Sequence, residues 1–143
     1  MTLVLSLGGR IIFISSQFTT LSTLPTHYLL YIASKGTVEQ LTRVLAQDLG
    51  TRGITVNAVS PGPIDTDMLR VGVPEEVRVS LANSHPQKRI GTTADVEPVI
   101  AFLVREEAGW VNGESIMVSG VSGNIKLIVA SADGLLHIQG MSV

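Results

Sequence analysis

The chain has 143 residues, of which 45% are hydrophobic and 15% charged, and its net charge is −2 at pH 7. This length suffices for one domain with a core, and the apolar composition is typical of an α/β protein with strands buried on both faces. No basic stripe is present, which argues against a nucleic-acid partner. The chain has no cysteine, so disulfides, thiol nucleophiles and thiolate metal sites are excluded.

Membrane and metal sites are not expected either. No apolar run approaches the roughly 20 residues that a membrane span needs, and the apolar start is too short and too uncharged for a signal peptide. His85 and His137 lack metal-ligand spacing to each other or to carboxylates. We therefore expect a cytoplasmic protein without a metal.

The first half of the chain reads as strand, loop, helix. Residues 10–15 form a continuous β-branched and apolar run, which predicts a buried parallel strand. Residues 17–27 are rich in Ser and Thr and predict a loop. A long helix is predicted from about 28 to 49, and Gly50 and Gly53 mark its end. Its apolar stripe is Val38, Leu41, Leu45 and Leu49.

The second half continues the alternation of strands and helices. Residues 54–59 predict a strand that the sequence Ser60-Pro61-Gly62-Pro63 stops, and residues 74–83 predict a short helix. Thr92 or Thr93 caps a further helix, and residues 114–119 predict a third strand. The stripe of the capped helix is Val96, Ile100, Leu103 and Val104. This order predicts a parallel sheet covered by helices.

The end of the chain differs from the rest. After Gly120, β-like runs at 125–130 and 135–138 flank an Asp133-Gly134 turn. They predict either a hairpin or a segment without a packed partner.

Several side chains that suit proton transfer are predicted to meet at one edge of the sheet. Ligands of open parallel sheets bind outside the carboxyl ends of the strands, and the first two strands end at Ser15-Ser16 and Pro61-Gly62. Tyr31 and Lys35 lie at the start of the intervening helix and, being four residues apart, share one of its faces. A phenol, an ammonium group and a pair of hydroxyls are thus expected together.

This set predicts a definite chemistry. The ordinary pKa of a tyrosine is about 10, and a nearby ammonium lowers it by stabilising the phenolate. Tyr31 can then exchange a proton with a carbonyl or alcohol oxygen, and Ser16 can hydrogen-bond the same oxygen. Hydride requires a separate carrier, because no side chain supplies it.

Four ordered segments resemble the short-chain dehydrogenase/reductase family. They are the Tyr-Ile-Ala-Ser-Lys motif at 31–35 and the segments at 9–16, 54–66 and 89–113. The resemblance implies an α/β fold, namely the C-terminal half of a Rossmann-type doubly wound parallel sheet in three α/β/α layers. It covers roughly residues 8–120 and implies a domain at 1–120 and an unmatched tail at 121–143.

The resemblance also implies roles for individual residues. Tyr31 is the acid/base, Lys35 lowers its pKa and holds the nicotinamide ribose, and Ser16 orients the substrate oxygen, with Ser15 as the alternative. The chain looks most like NADP(H)-dependent ketone and polyketide reductases, so NADP(H) is expected over NAD(H) and the substrate is a small carbonyl compound or alcohol. The cofactor-binding set also includes Pro61, Gly62, Ile64 and Thr66.

One expected element is missing from the sequence. A Gly-rich turn normally follows the first Rossmann strand and cradles the pyrophosphate, and no such turn follows a strand here. We therefore expect negligible cofactor affinity for the chain as given, and an open edge on the strand at 10–15. The alternative function is a truncated, inactive remnant that acts by association or has no independent role. A homo-oligomer is possible.

Four further features have a weaker sequence signal. His27 and Tyr28 either border the substrate pocket or lie on a loop surface. Residues 68–85 resemble a substrate lid. Asn57 is expected to be structural, and Trp110 is expected in the core rather than as a binding platform.

Overall fold

A parallel sheet forms the centre of the molecule. The computed structural model describes residues 8–21, 24–120, 128–130 and 136–138. The strands β1 (Arg10–Ile14), β2 (Thr55–Pro61) and β3 (Ser115–Val118) pair in parallel in the order β1-β2-β3. This confirms the predicted sheet. It also places the ends of β1 and β2 at the same edge.

Four α-helices accompany the sheet in the part of the chain that the structure describes. They are α1 (Leu29–Leu49), α2 (Asp67–Gly72), α3 (Glu75–Ser84) and α4 (Thr93–Leu103). Two 3-10 turns, Gln17–Thr20 and Thr26–Tyr28, replace the predicted loop before α1. A third 3-10 turn follows α1 and ends at Gly53, whose φ of 67° is left-handed and favours glycine. The predicted bounds of α1 and α3 are confirmed within one residue.

Helices cover both faces of the sheet. On one face the buried residues Ala46, Ile54 and Val56 form a core with Ile11, Phe13, Leu45 and Leu49. On the other face the buried residues Val59, Val96 and Leu103 form a second core with half-buried neighbours that include Ile12 and Ile116. Successive strand residues point to opposite faces, so each strand can contribute to both cores. The result is the partial three-layer Rossmann-type arrangement that the resemblance implied.

The apolar stripes were predicted with single-residue errors. On α1, Leu41 is 46% exposed, and the fully buried positions are Thr42 and Ala46. Small side chains occupy the contact between α1 and β2 because the helix lies close to the strand. The Thr42 hydroxyl donates to the Val38 carbonyl of its own helix. On α4, Val104 is the C-terminal cap and is 53% exposed.

Trp110 is not in the core, and the prediction for it was wrong. Its side chain is 99% exposed. It lies in the turn after the 3-10 helix Glu106–Ala108, where Ala108 is buried and Val111 packs into the second core. Only one side of this turn faces the core. The smaller side chains of Ala108 and Val111 occupy that side, and Trp110 is left in solvent.

Strand β2 runs further than its sequence predicted. Pro61 still pairs with Val118 of β3, and the Gly62 N–H donates to the Val118 carbonyl at 3.0 Å. Proline removes one donor without preventing its neighbour from bonding. The turn therefore begins at Gly62, not at Ser60.

Strand β1 lies at one end of the strand order in the sheet. Among the described residues it pairs only with β2. The strands β4 (Ile128–Ala130) and β5 (Leu136–Ile138) form a separate antiparallel pair, which favours the hairpin over the unpaired alternative. The residues between these strands lie outside the described part, as do 125–127.

In the part that the structure describes, no helix combines the length and apolarity of a membrane span.

Candidate active site

Tyr31 and Lys35 project from the first turns of α1 towards the end of β1. The Lys35 Nζ donates to the Ile14 carbonyl at 2.9 Å and lies 5.7 Å from the centre of the Tyr31 ring. Ile14 is the last residue of β1, so the strand end holds the ammonium beside the Tyr31 ring. Tyr31 is 37% exposed, which leaves its ring accessible. The predicted pair is thus assembled.

The two candidate serines make different bonds although they are adjacent. Ser15 is buried, and its hydroxyl donates to Glu39 Oε1 at 3.0 Å and lies 3.3 Å from the Lys35 carbonyl. Ser16 Oγ accepts the Phe18 N–H at 3.3 Å and thereby caps the 3-10 helix Gln17–Thr20. Ser16 is buried as well, and among the described residues its hydroxyl proton has no hydrogen-bond acceptor.

An aromatic group links Ser16 to the tyrosine. The Phe18 ring lies 5.1 Å from that of Tyr28 and 6.1 Å from that of Tyr31, edge to face in both cases. His27 lies against Tyr28 at 4.3 Å but is exposed. Edge-to-face contacts of this kind hold rings in defined orientations. Phe18 therefore supports the Tyr31 ring, a role that its loop-like sequence did not indicate.

The segment after β2 lies at the same edge of the sheet and is held in close contact with its neighbours. A Cβ on Gly62 would lie 2.9 Å from the Ser119 Cα, so only glycine permits this approach of the backbones. Ile64 and Gly91 form an isolated bridge, and Thr66 Oγ1 accepts the Leu69 N–H at 3.5 Å to cap α2. Thr66 thus has the capping role that its position allows.

A cavity of about 190 Å³ borders this segment but not the tyrosine. Its lining includes Pro63, Ile64, His85 and Arg89. His85 Nε2 lies 2.9 Å from the Ser119 carbonyl and joins the end of α3 to the end of β3. In the described residues, no group of three or more His, Cys, Asp or Glu side chains could hold a metal.

The turn before α4 is fixed by an ion pair. Arg89 donates to both carboxylate oxygens of Asp95, at 2.7 and 2.8 Å, and the Thr92 N–H donates to Asp95 Oδ2 at 2.7 Å. The Arg89 hydrogen bonds, followed by those of Thr92, hold the pKa of Asp95 well below its ordinary value. Thr92, rather than Thr93, is the cap.

Glu39 is the residue that sequence reasoning missed. Its Oε1 accepts hydrogen bonds from four hydroxyls, those of Thr19 at 2.7 Å, Ser15 and Ser115 at 3.0 Å and Ser60 at 3.1 Å. Burial raises the pKa of this carboxyl, but the hydroxyl donors outweigh that effect and leave it below its ordinary value. A signal existed in the sequence, because Glu39 follows Lys35 by one helical turn and interrupts the apolar face of α1.

A family model and a close relative identify the family of the chain. The model described as "Enoyl-(Acyl carrier protein) reductase" matches residues 2–120, most of the chain. The chain is also 44% identical over 113 residues to the "Short-chain type dehydrogenase/reductase" of Picea abies. The chain belongs to the short-chain dehydrogenase/reductase family.

Other members of the short-chain dehydrogenase/reductase family match the same part. The "NADPH-dependent aldehyde reductase 2, chloroplastic" of Arabidopsis thaliana is 42% identical, over 79% of this chain and 41% of the relative. The crystal structure of the angucycline C-6 ketoreductase LanV with bound NADP has a TM-score of 0.71 at 35% identity, over 80% of this chain and 44% of the other. The Picea relative is covered to 41%. The chain thus spans less than half the length of these relatives.

Proposed function

We propose that this chain supplies the catalytic face of an NADP(H)-dependent oxidoreductase that interconverts a ketone and a secondary alcohol. One observation carries the proposal: the ammonium of Lys35 is fixed on the Ile14 carbonyl beside an accessible Tyr31 ring. An ammonium next to a phenol stabilises the phenolate, which is what a proton-transferring tyrosine requires.

The residues divide the work of a carbonyl reduction. Tyr31 gives its phenolic proton to the carbonyl oxygen, and takes a proton from the alcohol in the reverse direction. Ser16 donates a hydrogen bond to the same oxygen and orients it, while Ser15 has its hydroxyl engaged with Glu39. When bound, the nicotinamide cofactor supplies the hydride.

The described residues suit the nicotinamide end of such a cofactor. Lys35 uses one donor on Ile14, and an ammonium has three, so the others can reach ribose hydroxyls. Pro61, Gly62 and Ile64 would line the nicotinamide at the end of β2, largely through backbone atoms. The hydroxyl of Thr66, which accepts a backbone N–H, keeps its proton to donate.

The relatives support the choice of cofactor. One is named as NADPH-dependent, and a ketoreductase of similar fold has NADP bound. We therefore propose NADP(H) over NAD(H) as the cofactor. We also propose that residues 1–120 form the enzyme-type domain and that residues 121–143 form a separate tail. A cytoplasmic location is part of the proposal. Fractionation into a chloroplast, the compartment in the Arabidopsis relative's name, would contradict it.

A chimera tests the proposed chemistry. Residues 8–120 would replace the matching segment of the angucycline ketoreductase, and NADPH oxidation with its ketone would be followed. We expect Tyr31→Phe to lower kcat/KM by about 10²- to 10⁴-fold, the contribution of general acid catalysis. Tyr28→Phe is the matched control, because Tyr28 packs on the same Phe18 ring. Equal activity of the Tyr31→Phe chimera and its parent would refute the role of Tyr31.

A second candidate function is association without catalysis. Two features favour it: among residues 8–21 and 24–120 β1 has a strand partner on one side only, and Trp110 is exposed. Unpaired strand edges and exposed aromatic side chains are typical contact surfaces. Light scattering of the purified chain discriminates the two. A stable homo-oligomer, together with an inactive chimera, would support association and remove the enzyme proposal.

A further inference from the structure

A carboxylate lies under the candidate site without touching it. Glu39 Oε1 bonds hydroxyls from the end of β1 and from the 3-10 helix after it. It also accepts from Ser60 near the end of β2 and from Ser115 at the start of β3, whose hydroxyl oxygens lie 2.8 Å apart. The Glu39 side chain is only 12% exposed. One oxygen atom thus ties α1 to all three strands of the parallel sheet.

Hydrogen bonds from hydroxyl groups, and not a close cation, stabilise the negative charge of Glu39. Arg43 is 4.0 Å from Oε2 and 54% exposed, so solvent screens it. Burying a carboxylate is costly unless hydrogen bonds replace its water, and here they come from Thr19, Ser15, Ser115 and Ser60. The carboxylate and these hydroxyls satisfy one another, so removing the carboxylate alone would leave buried donors without an acceptor.

Two hydrogen bonds of Glu39 end close to groups of the candidate site. Ser15, a Glu39 partner, is flanked by Ile14, whose carbonyl anchors Lys35, and by Ser16. Ser15 Oγ also lies 3.3 Å from the Lys35 carbonyl. Thr19 is the second partner. Its hydroxyl oxygen lies 2.7 Å from Glu39 Oε1 and 2.8 Å from the Ser16 carbonyl oxygen. The carboxylate therefore sets the backbone that presents both the lysine anchor and the serine.

We propose that Glu39 is a positioning residue, whose ionised carboxylate fixes the end of β1 so that Lys35 and Ser16 hold their places beside Tyr31. The proposal rests on the proposed function for its catalytic meaning. The effect of Glu39 passes through Ser15 and Thr19.

The test uses the full 143-residue chain labelled with ¹⁵N, and it needs no cofactor. The hydrogen bond from the Lys35 ammonium to the Ile14 carbonyl is expected to slow the exchange of the ammonium protons with water, and NMR measures that exchange. In Glu39→Gln we expect exchange to accelerate about tenfold and the Ser16 amide signal to move, because loss of a charge-assisted network frees the strand end. Ser115→Ala is the matched control, since it removes one donor to the same oxygen on β3, away from the site.

Each outcome decides the proposal. Faster Lys35 exchange in Glu39→Gln with little change in Ser115→Ala supports it. An unchanged Lys35 signal, or the same change in both variants in proportion to lost stability, overturns it. If Glu39→Gln does not fold, Thr19→Val removes one hydroxyl beside Ser16 and must move the Ser16 amide signal; no movement overturns the proposal. Full activity of the Tyr31→Phe chimera would instead refute the proposed function and leave this positioning intact.

Discussion

Adjacent serines at the end of β1 illustrate how a single residue acquires its role. Ser15 directs its hydroxyl towards α1 and Glu39, whereas Ser16 leaves its proton available and caps a 3-10 turn. Sequence alone kept both as candidates for the substrate contact, because both are hydroxyls at the same strand end. The bonds that separate them come from residues distant in the chain.

This difference yields a prediction for the chimera that carries residues 8–120. Ser16→Ala should lower kcat/KM about a hundredfold, since it removes one donor to the oxygen where charge develops. Ser15→Ala, the matched neighbour, should mainly lower stability, because it takes a donor from a buried carboxylate. Steady-state kinetics and urea unfolding of both variants check this. A larger kinetic loss in Ser15→Ala would reverse the assignment.

At the scale of elements, two glycines differ in the space around them: Gly36 lies within α1 and Gly62 directly after β2. An added Cβ on Gly36 would meet nothing within 4 Å, so Gly36→Ala should stabilise the chain by about 0.5–1 kcal/mol. Gly62→Ala should destabilise it by about 1–3 kcal/mol, because its Cβ would meet the backbone of Ser119. Urea unfolding measures both. Equal shifts in the two variants would contradict the packing described for β2 and β3.

The beginning of α4 has a predictable pH dependence. The bonds from Arg89 and then Thr92 keep the pKa of Asp95 below its ordinary 3.8 in the folded state. The folded chain therefore binds fewer protons than the unfolded chain at acid pH. The stabilisation is complete above about pH 4 and is lost as the pH falls through the folded-state pKa.

Unfolding midpoints in urea at pH 7 and pH 3 test this dependence. The wild-type midpoint should fall by more than that of Asp95→Asn, which has no charge to lose. Glu97→Gln is the control, because Glu97 is an exposed carboxylate in the same helical turn. If Asp95→Asn and the wild type lose the same amount, the ion pair with Arg89 has no part in acid stability.

For the whole molecule, the prediction concerns the cofactor. The sequence contains neither of the glycine spacings, Gly-x-x-x-Gly-x-Gly and Gly-x-Gly-x-x-Gly, that usually place backbone N–H groups around a pyrophosphate. We expect titration of the purified chain with NADPH or NADH, followed by fluorescence or calorimetry, to show no micromolar binding. The angucycline ketoreductase serves as the positive control. A micromolar Kd would contradict the expectation and assign the enzyme function to this chain itself.

The sequence by itself determined the order of strands and helices, the parallel sheet and the position of Tyr31 and Lys35 at one of its edges. These follow from signals within a few residues: β-branched runs, helical spacing and glycine or proline stops. The same local reasoning placed Trp110 in the core and Leu41 on the buried stripe, and both are exposed.

Only the tertiary structure decided which side chains are hydrogen-bonded to each other. Glu39 meets Ser15 and Ser115, which lie 24 and 76 positions away in the chain. No periodicity reports such a contact, because the separation in space depends on how α1 packs across three strands. The choice between Ser15 and Ser16, the exposure of Trp110 and the anchoring of Lys35 on Ile14 follow from that packing.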